Sequence, residues 1–197
     1  MEIRKQLKSK NNDEIPALKR FQVFDAIRLC NVDRDKALIA FLYLTGARIE
    51  EVVKFKRKGE LVGKPLRKKH IEIRDSHIIV HSVRTLKQSK AGNRTIPITR
   101  NSLENGLIQI FLRYHDTLKE EDDYLFNITR QRGHQILQKV GIFPHLLRHS
   151  RNTHLVQDYD FTVPQLQQFN GWKRADTPSH YVHLKVQNLL DKMSKIQ

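Results

Sequence analysis

Cysteine is almost missing from this 197-residue chain. Cys30 is the single one, which excludes an intramolecular disulfide framework and a thiolate-rich zinc site. Long apolar runs are missing as well. The longest, residues 37–44, falls far short of the ~20 residues needed to span a bilayer. Residues 1–6 hold no apolar stretch of the secretory kind, so a reduced, cytoplasmic setting and no membrane contact are expected. Glycine (8) and proline (6) are sparse, and no repeat or low-complexity tract appears. Acid is in deficit, with 21 Asp and Glu against 36 Lys and Arg, a formal charge of +15. That excess suits a polyanion, and without an apolar anchor nucleic acid is the better match. What is present, 39% hydrophobic and 29% charged residues, is enough for a folded core and one domain.

Residues 1–15 are polar and mixed in charge, and are expected to form a tail ahead of a domain over 16–197. Leu18, Phe21, Val23, Phe24, Ile27 and Leu29 recur at helical spacing. After Asn31 and Asp33, which mark a stop and a new start, residues 37–44 are apolar on nearly every side, as in a central helix. Thr45-Gly46 interrupts it, and residues 47–55 resume with Ile49, Val52 and Val53 on one face. Residues 54–69 are expected to be a loop around Gly59, Gly63 and Pro65. Strand signals follow at 71–73, 78–83 and 95–98, with an Asp75-Ser76 turn, pointing to a small antiparallel sheet. Helices are expected at 103–118, 131–140, 146–156, 163–169 and 186–193. The fold class is α+β, mostly helical, with one small sheet.

Several chemistries are disfavoured. His145 and His149 stand at i, i+4, yet Leu146 occupies the place where a zinc peptidase carries glutamate, so no metal site is expected. No Gly-x-Ser-x-Gly elbow and no Gly-x-x-x-x-Gly-Lys phosphate loop occur. No cofactor is implied.

Four pieces carry a different chemistry. Thr45-Gly46-Ala47-Arg48-Ile49-Glu50-Glu51 resembles the Thr-Gly-x-Arg-x-x-Glu box of the tyrosine recombinases, the phage integrase family. His145-Leu146-Leu147-Arg148 resembles that family's His-x-x-Arg box, and Asn170-Gly171-Trp172 its Gly-His/Trp box. Tyr181 then stands where the family carries its nucleophile. The order and relative spacing are specific where each piece alone is weak. The resemblance spans about residues 17–195 and implies a helical catalytic domain of the integrase type.

The resemblance implies roles that the chemistry supports. Cleaving a phosphodiester builds charge on the nonbridging oxygens, and guanidinium groups bind it with planar, forked donors. Arg48 and Arg148 would form that clamp, and Glu51, three residues on from Arg48, would hold it. His145 shares a helix face with Arg148 and would move protons, with Pro144 fixing the helix start, whereas His149 lies off that face and is expected to be structural. Tyr181 would form the phosphotyrosyl bond, conserving the energy of the broken strand without ATP or metal. Trp172 replaces the commoner histidine, and its indole can donate but not shuttle a proton. The family's general-acid lysine sits on a hairpin turn. Lys90, in Lys90-Ala91-Gly92, resembles it, with Lys87 as the alternative.

Residues 54–69 carry Lys54, Lys56, Arg57, Lys58, Lys64, Arg67, Lys68 and Lys69 against Glu60 alone. Their expected role, with Lys87, is contact with the DNA backbone, positioning the duplex without reading it. The family resemblance further implies a tetramer on two duplex sites, acting on the nucleoid, with a C-terminal helix (Val186, Leu189, Leu190, Met193) that docks on a neighbouring protomer. Too few residues precede the first helix for the family's usual N-terminal domain, so either a catalytic fragment or a minimal enzyme is expected, with weak, salt-sensitive binding to a lone site. Two rivals stay open: a type IB topoisomerase, with the same chemistry but no strand exchange, and a non-catalytic DNA-binding scaffold.

Overall fold

In the computed structural model, residues 17–57, 60–61, 65–84, 93–100, 103–179 and 181 are described. The expected N-terminal tail, the C-terminal helix at 186–193, Lys58, Lys64, Lys87 and Lys90 lie outside them.

The centre of the fold is α2 (Asp33–Thr45), preceded by α1 (Arg20–Arg28). Every residue of α2 from Ala37 to Thr45 is buried, so it has no polar face to present. Asp33 and Asp35 sit in its first turn, where the helix dipole favours anions. Gly46 ends it in the left-handed conformation (φ +57°), which costs a residue without Cβ little. Phe41 packs its ring 5.0 Å from Phe111 and 5.6 Å from Phe126, tying α2 to α4 (Asn105–His115) and to the 125–128 segment.

The helix expected over 47–55 is a single turn, α3 (Ile49–Val52). Backbone pairing with a distant segment ends it early. Lys54 N–H donates to Ile128 O (3.2 Å) and Arg130 N–H to Lys54 O (2.8 Å), drawing the chain into extended form. The described parts of the basic stretch are hydrogen-bonded structure where a loop is expected. It contains a two-stranded antiparallel pair, β1 (Lys56–Arg57) with β2 (Glu60–Leu61), and a 3₁₀ turn at Lys68–His70. Leu66 anchors it in the core, its N–H bonded to Val52 O and its carbonyl to Leu125 N–H.

The sheet runs in the order β3 (Ile71–Ile73), β4 (His77–Arg84), β5 (Asn93–Thr99), all antiparallel. Ile78 faces Ile98 and Val80 faces Ile96, and a register irregularity separates Val80 from Val83. β5 alternates strictly, burying Arg94, Ile96 and Ile98. The remaining helices are α5 (Arg130–Lys139), α6 (Pro144–Tyr159), α7 (Val163–Asn170) and the short α8 (Asp176–Ser179). Pro144 opens α6 at a position that needs no N–H, and α6 packs against α2. This arrangement sets α3, β5, α6 and the end of α7 around one spot.

Candidate active site

Arg48 caps α3, and its side chain stays partly exposed while Glu51 beneath it is buried. Glu51 accepts the Arg48 backbone N–H at Oε2 (2.9 Å) and the Arg48 guanidinium at Oε1 (3.0 Å). The first bond satisfies an amide that the helix cannot, as in a capping box. Arg94, from β5, grips the same carboxylate from the other side at 2.9 and 3.4 Å. Burial on its own would raise the Glu51 pKa, but the charge and hydrogen bonds of Arg94, with Arg148 and the Arg48 amide, hold it below the ordinary value.

Arg148, one turn into α6, is buried. Its guanidinium donates to the carbonyls of Gly46 and Asn170 (3.4 Å for the latter) and lies 5.1 Å from the Trp172 ring centroid. Burial lowers its pKa to about 9; Glu51 opposes the fall, and Arg94 and Arg48 deepen it. The group still carries its charge at neutral pH. Three guanidiniums thus surround one carboxylate. Two positive charges are left over in a largely dry place, which is an anion site by electrostatics alone.

Trp172 arrives through a left-handed turn. Gly171 (φ +66°) closes α7, and the Trp172 N–H bonds back to Gln167 O at 2.9 Å. Its ring stacks on Tyr181, 6.0 Å between centroids with planes 13° apart. Tyr181 is half-buried beyond α8, its N–H bonded to Pro178 O (3.0 Å). His145 is exposed in the first turn of α6. So Arg48, Glu51, Arg148, Trp172 and Tyr181, separated by up to 133 positions in sequence, form one contiguous cluster with His145 on the same helix as Arg148.

Two groups here escaped the sequence reading. Arg94 was readable: it falls in phase with Ile96 and Ile98, so the strand period already turned it inward. His149, expected to be structural, instead bonds the Tyr181 hydroxyl through Nδ1, and the two rings stack at 5.9 Å. It stands at i, i+4 from His145, so one turn of α6 brings it there on the side of the helix that carries His145 and Arg148. Among the described residues no cluster of three or more His, Cys, Asp or Glu could hold a metal.

The basic segment is less free than its composition implies. Lys54 donates to Asn127 Oδ1 (2.8 Å) and sits 4.0 Å from the Tyr124 ring centroid. Arg67 bonds the Asp122 carbonyl and covers the same ring. Lys68 donates to Leu118 O (3.0 Å) and lies 3.7 Å from Glu121, and Lys69 pairs with Asp122 at 2.6 Å. The Lys56 and Arg57 backbones lie in β1. An acidic run, Glu120 to Asp123, therefore borders the positive surface.

The model of the phage integrase family matches residues 17–188. Tyrosine recombinase XerC of Escherichia coli O157:H7 (strain EC4115 / EHEC) is 29% identical over 192 residues, covering 87% of this chain and 58% of that protein. The chain therefore spans under two thirds of the curated relatives it matches. Among solved structures, the catalytic domain of bacteriophage HP1 integrase has the same fold at 17% identity, TM-score 0.56, covering 92% of this chain and 95% of that one. The Tn1549 transposon integrase, in complex with a circular intermediate DNA, aligns at 16% identity and TM-score 0.63, covering 96% and 68%. No helix among the described residues is long and apolar enough to cross a membrane.

Proposed function

This chain belongs to the phage integrase family, and on that footing we propose that residues 16–197 are the catalytic domain of a site-specific DNA recombinase. One observation carries the reading: three guanidiniums around a single buried carboxylate, with a stacked tyrosine beside them. Arg48 and Arg148 bind the nonbridging oxygens of a scissile phosphate, and Glu51 holds Arg48 in place. The Tyr181 hydroxyl oxygen attacks phosphorus, the P–O5′ bond breaks, and the 5′-oxygen takes a proton from the Lys90 ammonium, with Lys87 in reserve. His145 takes part in the proton transfers, and Trp172 holds the tyrosine and the Arg148 guanidinium in register. The 3′-phosphotyrosyl bond keeps the energy of the broken strand, so a second strand's 5′-hydroxyl reverses the step and reseals. Each guanidinium aimed at the developing charge is worth on the order of 3 kcal/mol of the barrier.

The substrate in this reading is double-stranded DNA on the nucleoid, with protomers assembled as a tetramer across two sites. The names of the recombinase and integrase relatives, one of them solved on DNA, support the DNA substrate. The test uses a pool of nicked duplexes of random sequence that trap the covalent intermediate, with wild type and Tyr181→Phe run on denaturing gels. An adduct formed by wild type and absent from the variant supports the reading. A two-site joining reaction then separates a recombinase from an enzyme that only relaxes supercoils. An adduct that survives Tyr181→Phe overturns it.

A further inference from the structure

The nucleophile's proton has a destination in this structure. We propose that His149 accepts the phenolic proton of Tyr181, and that Asn152, one turn further along α6, steadies the phenolate that results. The proposal rests on Tyr181 being the nucleophile.

Geometry is the main argument. His149 Nδ1 bonds the Tyr181 hydroxyl, and the rings stack at 5.9 Å with planes 30° apart. A phenol that donates to an imidazole nitrogen requires that nitrogen to be unprotonated. The surroundings keep it so. Burial, then the neighbouring His145 and the Arg148 guanidinium, hold the His149 pKa below its ordinary value. Burial likewise raises that of Tyr181, while the Asn152 side chain and Arg148 pull it back by favouring the phenolate. The resting pair is thus a neutral phenol on a neutral imidazole; both shifts oppose free ionisation, so the proton moves only as the oxygen bonds to phosphorus.

Asn152 is buried and committed on one side only. Its Oδ1 accepts from Asn170 Nδ2 at 2.8 Å, and among the described residues its own Nδ2 completes no hydrogen bond, although the side chain lies within reach of the Tyr181 hydroxyl. It stands three residues from His149, on the same face of α6. A buried amide N–H without a full hydrogen bond is costly, and the cost is removed once a phenolate or a tyrosyl ester oxygen accepts from it. His149 and Asn152 therefore complement each other: one accepts the proton, the other donates to the oxygen that has lost it.

The step balances. The O–H bond of Tyr181 breaks, its proton moves to His149 Nδ1, and Oη bonds to phosphorus. The P–O5′ bond breaks, and the leaving oxygen takes a proton from a separate ammonium acid, Lys90 in the reading above. Resealing returns each proton to its origin.

The test separates the base from the acid. Nicked duplexes of random sequence are prepared with either oxygen or sulfur bridging phosphorus and the 5′-carbon. A departing thiolate needs no acid, so sulfur rescues a missing acid but not a missing base. His149→Gln is expected to slow adduct formation by about 10²–10⁴-fold on both substrates, while a Lys90→Ala defect is relieved by sulfur. Capture by His149→Gln within threefold of wild type, with none by Tyr181→Phe, overturns the proposal and spares the recombinase reading. An adduct from Tyr181→Phe overturns both. A second measurement needs no DNA. In ¹⁵N spectra of the histidine rings, Tyr181→Phe should shift one Nδ1 resonance, the one that His149→Gln deletes. An unmoved resonance also overturns the proposal.

Discussion

Arg94 and Glu51 lie 43 positions apart and meet through two hydrogen bonds of 2.9 and 3.4 Å, both side chains almost wholly buried. Glu51 in turn holds Arg48 by main chain and side chain. Arg94 is therefore a positioning residue, fixing through the carboxylate a guanidinium that it does not touch. Arg94→Gln should lower stability by about 1.5–3 kcal/mol in urea unfolding, because it removes charge-assisted hydrogen bonds from a buried carboxylate that keeps only Arg48. Double substitution with Glu51→Gln should recover part of that loss, and a strictly additive pair would show the two groups to be uncoupled.

Gly46 joins the core to the site. Its φ is +57°, and its carbonyl accepts from Arg148. A Cβ there would meet Phe169, Arg151 and Asn170 at 3.5–3.7 Å, which is ordinary contact. Backbone strain alone should set the effect of Gly46→Ala at about 1–2 kcal/mol. Thermal unfolding measures it; a much larger loss would mean that the Arg148 contact moves as well.

His154 predicts an acid-sensitive step. It is buried against Tyr43, Nδ1 to hydroxyl 2.7 Å, and burial, aided by Arg20 and Arg151 and opposed by Asp158, lowers its pKa from 6.5 to about 4. The unfolded chain binds this proton near pH 6.5, whereas the folded chain binds it only near pH 4. Stability tied to this group is thus complete above pH 6.5 and lost as pH falls toward 4, by up to about 3 kcal/mol. His154→Asn keeps an acceptor for Tyr43 and removes the titration, so its stability should fall less steeply between pH 7 and 5. Parallel profiles for the two proteins would assign the acid sensitivity elsewhere.

The acidic run beside the basic segment predicts a restraint on DNA binding. Lys69 and Asp122 pair at 2.6 Å with both side chains more than half exposed, so solvent screening leaves the pair weak and a phosphate can displace the carboxylate. Asp122→Asn should tighten binding to a random-sequence duplex by about two- to fivefold at low salt, with the gain disappearing at high salt. Equal affinities at low salt would show that Lys69 does not meet the duplex.

What local pattern encodes was legible in the residues. The all-apolar run behind α2, the Val and Ile enrichment of β4 and β5, the proline opening α6 and the i, i+3 link from Arg48 to Glu51 are all properties of near neighbours in the chain. The spacing of four short motifs identified the family because their chemistry demands particular residue types in order. Relations between distant elements were not legible. The 47–55 helix stops after one turn because Lys54 pairs with residues 128–130, and four of the eight basic side chains in residues 54–69 have partners in 118–127. Nothing in either segment encodes the other.

The sequence by itself determined which residues can bind an anion, attack phosphorus and line a core, since those are properties of side chains and of near-neighbour spacing. Only the tertiary structure decided that Arg94 braces Glu51, that Trp172 meets both Arg148 and Tyr181, and that His149 rather than a more exposed group bonds the tyrosine hydroxyl. Those contacts depend on how helices from opposite ends of the chain pack on α2. Packing is a collective outcome of volume and burial, so no local stretch carries it.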